Sequence, residues 1–290
     1  MKLRLGIVGH GFVGQATSNA FNKNIEKFLV DPKLNSSIKD LSKFSPEIIF
    51  ICVPTPMKEN GVQDSSIIEE VLSQIKEYCP KAINVVKSTV LPSILKNLKE
   101  IDKCLIYNPE FLREKHAKED FLNSEFIIFG GQKDVAARVS KAYKENSSCI
   151  TEKHIFTDLV TASLVKYSIN TFLASKVIFF NEMHSLFLEA NPEGDWGEFL
   201  KIISLDDRIG DSHMNVPGHD GKKGFGGACF PKDSSALVNY AENLKVNLKI
   251  LREVISVNNS IRQSYNTLEL REIEQNVSFS DKILNKPLKK

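Results

Sequence analysis

Cysteine is scarce in this 290-residue chain: there are five, at 52, 79, 104, 149 and 229, an odd number at wide spacing. That pattern argues against a disulfide framework and fits a reducing, cytoplasmic setting. No CxxC or HxxxH spacing marks a metal site, so no metal is expected. Long apolar runs are missing as well. Nothing approaches the roughly 20 apolar residues of a membrane span, and the opening MKLRLGIVGHGFVG is broken by glycines where a signal peptide would need its apolar core. Neither sign of charge dominates: 38 Lys and Arg face 36 Asp and Glu, a formal net charge of +2. Such a balance gives no field that would recruit nucleic acid, and the basic NKPLKK at the end reads as part of a solvated tail over 276–290. What is there is ordinary globular material, 42% hydrophobic and 26% charged, long enough for one large or two medium domains.

The first half alternates between two periodicities. LRLGIVG reads as a buried strand, GQATSNAFN as a helix, and KFLVD (27–31) as a strand again. Strand-like runs recur at 47–53, 82–89, 103–108 and 125–131, with helical patterns at 65–78 and in KDVAARVSKAYKE. Alternation of this kind predicts an α/β fold with a parallel, doubly wound sheet and helices on both faces. After about residue 155 the strand signals stop. Glycine and proline are absent from 158 to 190, and Val165, Ile169, Phe172, Leu173, Val177, Phe180 and Phe187 recur at helical spacing. One amphipathic helix of roughly 30 residues is expected there, near 45 Å long. Its length suits a connection between domains or a dimer seam. A glycine-rich loop over 208–231 and helices over 234–244 and 247–263 complete the expected ordered part.

GIVGHGFVG holds Gly9-x-Gly11-x-x-Gly14 between the first strand and the first helix. The first glycine allows a tight turn, the second lets a pyrophosphate approach the backbone, and the third lets helix and strand pack closely. The second strand ends in Asp31, placed to hold both hydroxyls of an adenosine ribose and to repel a 2′-phosphate, which selects NAD over NADP. A glycine turn that binds nothing is the competing reading of the hexamer. The expected organisation is then a Rossmann-type NAD domain over 1–155, an all-α dimerisation and substrate domain over 156–275 entered through the long helix, and the tail.

GFGGACFPKD (224–233) sets one thiol among glycines that let a ligand come close to the backbone. Lys232 and a helix starting near Asp233 would favour the thiolate at Cys229, and Asp233 alone would oppose it unless it handles protons. The residues leave two readings open: a catalytic thiol, or a turn in which Asp233 caps a helix. A thiol working beside NAD could trap an aldehyde as a thiohemiacetal, yield a thioester on a second hydride loss, and release an acid with water. The other four cysteines lie in or beside apolar runs and read as structural.

CVPTP (52–56), KSTV (87–90), NPEFLRE (108–114), KYSIN (166–170), DDRIG (206–210) and GFGGACFPKD stand in that order. In these motifs the chain resembles the UDP-glucose/GDP-mannose dehydrogenase family, most closely its members acting on UDP-glucose, from about residue 3 to 263. The resemblance implies a four-electron, NAD-dependent oxidation of the C6 hydroxyl of a nucleotide sugar, UDP-glucose to UDP-glucuronate, with Cys229 as nucleophile. It implies that Lys166 and Asn170 bind substrate and stabilise the oxyanion, that Asp233 moves protons or water, and that Glu110 and Glu114 in the substrate loop take part in thioester hydrolysis. Phe111, Leu112, Arg113 and Gly226 join the substrate site. Phe12, Val13, Thr55, Thr89, Glu114 and Lys232 join the glycines at the cofactor, with Thr89 also among the catalytic set. Arg208 matches an arginine that reaches the neighbouring subunit's sugar site, which implies a homodimer.

Family members usually continue into a second Rossmann-like domain that grips the nucleotide, and this sequence ends at Lys290 without it. The loop GHDGKK between Pro217 and Gly224 is longer than the family's spacing, and Lys222 and Lys223 are candidates for the phosphate contacts that domain would make. Lys115 stands where the family's loop typically has glycine. Two other readings share the architecture: a two-electron hydroxy-acid or alcohol dehydrogenase, and a non-catalytic NAD-binding protein.

Overall fold

Seven short runs of the first half lie side by side in one sheet in the computed structural model, which describes residues 2–113 and 116–280. They are β1 (Leu3–Val8), β2 (Ile25–Val30), β3 (Ile48–Ile51), β4 (Ile83–Val86), β5 (Ile106–Tyr107), β6 (Ile127–Gly130) and β7 (His154–Thr157), in the spatial order β2-β1-β3-β4-β5-β6-β7. β3, β4 and β6 are buried at every position, as strands covered on both faces must be, so they read as unbroken apolar runs. The Rossmann-like, doubly wound architecture is as expected. The order reverses at β1, which puts the switch point, where such sheets open a crevice, between β1 and β3.

Two details correct the sequence reading. β5 and β6 pair antiparallel at Tyr107 and Gly130, although the other pairings are parallel. A parallel neighbour needs a crossover, usually a full helix. Between these strands the described residues hold instead only the six-residue helix α5 given below. The second correction is β7, a half-exposed edge strand whose HIFT has neither an apolar run nor a clean alternation.

The helices of this half are α1 (Phe12–Ala20), α2 (Ile38–Phe44), α3 (Ser66–Tyr78), α4 (Pro92–Ile101), α5 (Ala117–Leu122) and α6 (Lys133–Asn146). A capping box between Ser37 and Asp40 starts α2. Pro92 opens α4, where its missing N–H costs nothing. On α3 the buried residues Ile68, Leu72 and Ile75 fall on one face. Leu5, Phe50, Val85, Ile106 and Phe129, from five neighbouring strands, join Phe21, Val139 and Tyr143 in one core cluster. Each fully buried large apolar side chain there contributes about 1.5–3 kcal/mol.

Beyond β7 the elements among the described residues are helices: α7 (Leu159–Ala190), α8 (Trp196–Ile203), α9 (Phe230–Asn243), α10 (Lys249–Arg262) and α11 (Leu270–Glu274). With 32 residues and no glycine or proline, α7 is the long helix expected from the sequence. α11 lies beyond the expected ordered part. Among the described residues no helix is long and apolar enough to cross a membrane.

The chain divides into two compact units. Met1–Thr55 and Asp64–Lys166 form the first, with the sheet; Pro56–Gln63 and Tyr167–Lys290 form the second. The excursion at 56–63 is fastened within the second unit, where Met57 N–H donates to Gln275 O at 3.0 Å and Tyr167 Oη donates to Gln63 Oε1 at 3.2 Å. Small apolar clusters hold that unit: Phe180, Leu200, Met214 and Val216 in one, Ala174, Ile178 and Phe225 in another.

Candidate active site

In the first unit the glycine loop sits at the switch point. Gly9 has φ +89°, and a Cβ there would come within 2.8 Å of the Cys52 carbonyl at the end of β3. At Gly14 a Cβ would collide with the Gly9 carbonyl oxygen. Gly11, by contrast, has nothing within 4 Å of an added Cβ and stands as N-cap of α1 without a side-chain cap. Open space before the N-terminus of α1 fits the pyrophosphate of NAD. Phe12 and Val13 are the first two residues of α1. Across the loop, Asp31 Oδ2 accepts from His10 N–H at 2.7 Å and Oδ1 from Lys33 N–H at 2.9 Å, which turns the carboxylate toward the glycines. Thr55 Oγ1 donates to Thr89 O at 3.0 Å, so the segments after β3 and β4 are tied together there.

The substrate-loop motif begins at Asn108, and its neighbour there is a residue the sequence reading passed over. Lys87, 2% exposed, donates from Nζ to Asn108 Oδ1 at 3.0 Å, to Asn108 O at 3.3 Å and to Tyr143 Oη at 3.1 Å. Burial pushes its ammonium down to about 8, against the pull of Cys52 and Glu110. Burial also pushes the Cys52 thiol up to about 12, an inert structural cysteine, although Lys87 favours its thiolate. Cys104, in contrast, is exposed.

Glu110 is buried; its Oε2 accepts from Leu112 N–H at 2.7 Å and its Oε1 lies 3.4 Å from Lys166 Nζ, a fully buried ion pair within this unit. Lys166 also stands 5.1 Å over the Phe111 ring. Leu112 packs against the core cluster, and Arg113 pairs with Asp120 at 2.7 Å, so the loop uses these two for its own shape. Glu114 and Lys115 lie outside the described residues.

The second unit builds the thiol's surroundings. α9 starts at Phe230, earlier than the sequence suggested, with half-buried Cys229 as its N-cap residue and Pro231 in its first turn. The thiol therefore stands at the N-terminus of α9, the positive end of the helix dipole. Asp233 does not cap the helix: it lies inside α9, 1% exposed, and its Oδ2 accepts from Asn170 Nδ2 at 2.7 Å while its Oδ1 accepts from Lys232 Nζ at 2.6 Å. The capping-turn reading is thereby corrected, because these partners occupy the carboxylate. Asn170 and Lys166, four residues apart, share α7.

Ahead of the thiol, Gly224 N–H donates to Asn181 Oδ1 at 3.0 Å and Phe225 N–H to Asn258 Oδ1 at 2.7 Å. Gly227 N–H donates to Glu272 Oε1 at 2.9 Å, and a Cβ on Gly226 would collide with the Arg262 guanidinium. Lys222 Nζ donates to Thr267 O at 2.9 Å and lies 5.7 Å from the Tyr265 ring centre, and Lys223 N–H donates to Tyr265 Oη. Arg208 is exposed, its guanidinium held by both oxygens of Asp206 at 2.9 and 2.6 Å. Arg262 and Glu272 carried no signal beyond the spacing of Glu269 and Glu272, which form a capping box on α11.

The model of the UDP-glucose/GDP-mannose dehydrogenase family's NAD binding domain matches residues 25–147, and that of its central domain matches 160–260. The UDP-glucose 6-dehydrogenase of Rickettsia felis is 39% identical over 222 residues, covering 73% of this chain and 47% of its own length. That of Campylobacter jejuni is 30% identical over 311 residues, covering 95% of this chain and 76% of its own. The structure of a UDP-glucose dehydrogenase from the archaeon Pyrobaculum islandicum superposes with a TM-score of 0.75 at 26% identity, over 91% of this chain and 69% of that one. The chain thus spans about half the length of the Rickettsia relative.

Proposed function

Because the chain belongs to the UDP-glucose/GDP-mannose dehydrogenase family, we propose that it oxidises the C6 hydroxyl of a nucleotide sugar, UDP-glucose first, to the carboxylate with NAD. The observation that carries this is Cys229 at the head of α9, with a buried Asp233 held by Asn170 and Lys232 four residues on. A plain alcohol dehydrogenase has no use for that thiol.

NAD supplies the chemistry of hydride acceptance, twice per sugar. The Cys229 thiolate adds to the C6 aldehyde left by the first oxidation, forming a C–S bond and an oxyanion that takes up a proton as the thiohemiacetal. Loss of the second hydride and of that proton gives a thioester. Water attacks its carbonyl carbon, the C–S bond breaks, and the electron pair returns to sulfur. Donors such as Lys166 and Asn170 hold the negative oxygen in each tetrahedral state. Asp233 exchanges protons with sulfur and water, and Glu110 positions water for hydrolysis. Overall one alcohol, two NAD and one water give one carboxylate, two NADH and three protons.

We assign the working form as a homodimer through α7. Support comes from Phe172, Phe179 and Leu186, exposed by 67, 51 and 59% at seven-residue spacing. Arg208, held outward by Asp206, is the residue assigned to the neighbouring subunit's sugar site. Lys222 and Lys223 are assigned to the diphosphate; Lys222, tethered to Thr267, keeps two further N–H groups for it.

The test is to incubate the chain with NAD and UDP-glucose and count NADH per sugar consumed. Two NADH with UDP-glucuronate formed, and none from Cys229→Ala past the first equivalent, is the expected result. One NADH from the parent overturns the thiol mechanism, and none, with GDP-mannose tried as well, overturns activity of the chain alone.

A further inference from the structure

The glycine run leading to Cys229 is fastened first by neutral amides, those of Asn181 and Asn258. At Gly227 the partner becomes a carboxylate. Glu272 Oε1 accepts from Gly227 N–H at 2.9 Å and from Arg262 Nη2 at 3.0 Å, and its Oε2 accepts from Glu269 N–H at 2.8 Å. Arg262 Nη1 donates to Asp220 Oδ2 at 2.6 Å. The side chains of Arg262 and Glu272 are 1% and 0% exposed. Tyr265 and Phe279 flank the guanidinium, 5.9 and 5.3 Å away. Gly226 has no room for a Cβ because this ion pair lies directly against its backbone. Asp220 belongs to the GHDGKK loop and Glu272 to α11, so two segments remote in sequence converge on the thiol loop.

A buried ion set is a poor source of net stability, because desolvation offsets its attraction; it is a stricter source of geometry. We propose that Asp220, Arg262 and Glu272 are positioning residues for Cys229, a charged clasp that fixes the backbone two residues ahead of the thiol. As a role in thiol chemistry this rests on the reaction proposed above. With the clasp open, the first hydride still leaves the sugar with its electron pair, giving aldehyde, NADH and a proton. The thiol is then out of place, and the aldehyde escapes before a C–S bond forms.

Glu272→Ala removes the acceptor of Gly227 and the partner of Arg262, while the near-isosteric Glu272→Gln keeps one oxygen for Gly227 and loses the charge and the acceptor of Glu269 N–H. Both are labelled with iodoacetamide under native conditions, and Cys229 is compared by peptide mass spectrometry with the exposed Cys104 of the same molecule. The ratio of Cys229 to Cys104 labelling rises at least threefold in the Ala variant and less in the Gln variant. Ratios equal to the parent's in folded variants overturn the proposal, and the Gln variant decides if the Ala variant fails to fold. This readout needs no turnover, so it stands apart from the proposed reaction. With a parent that makes two NADH per sugar, Glu272→Ala makes fewer than two and releases aldehyde at unchanged KM for NAD. A variant that is merely slower, still at two NADH, overturns the positioning role.

Discussion

Lys87 places its charge on the side-chain amide and backbone carbonyl of Asn108 and on the Tyr143 phenol, in the space between β4, the Asn108 segment and α6. Burial brings it from 10.5 to about 8, outweighing the pull of Cys52, Glu110 and Cys149, while Lys166 pushes the same way as burial. The unfolded chain therefore holds this proton between about 8 and 10.5 where the folded chain has released it. The unfolded state binds more protons in that window, so this group makes stability rise with pH there. Cys52 acts in the other sense between 9 and about 12, because the folded thiol keeps a proton that the unfolded one has lost. Lys87→Met should remove the rising arm between pH 8 and 9, read as the change in urea midpoint with pH. An unchanged slope would show that the ammonium is not the group responsible. Nothing in KSTV announces this role, since the direction of a lysine after a buried strand is set only once β5 and α6 are packed beside it.

At the scale of elements, the junction of β1 and α1 separates two uses of glycine. Gly14→Ala drives a Cβ into the Gly9 carbonyl and should destabilise the apo-protein by about 1–3 kcal/mol. Gly11→Ala meets open space, so the melting temperature should hold while the Kd for NAD rises several-fold. Calorimetry on both variants checks the pair, and equal effects on apo-stability would sink the distinction. This loop was legible because its backbone needs are written in residue type. So was α7, whose run without glycine or proline admits little else. β7 was not, being four residues of edge strand with half-exposed side chains. The clasp was not either: Asp220 and Arg262 are 42 residues apart, and ion-pair partners carry no mark of each other in a sequence.

At the scale of the molecule, the exposed apolar stripe on α7 argues for self-association. Sedimentation should give a dimer for the parent and a monomer for Phe179→Glu, and a monomeric parent would remove Arg208 from any neighbour's site. The route of the chain has a further consequence, for heredity and for engineering alike. Residues 56–63 leave the sheet-bearing unit and belong to the helical one, so the boundary is crossed three times, after Thr55, Gln63 and Lys166. A single crossover between genes at residue 166 would leave Gln275 without the Met57 amide and Tyr167 without Gln63, unless both parents carried matching excursions. The two halves are thus poor currency for shuffling, and lineages that exchange one of them should be found to have exchanged the short excursion with it.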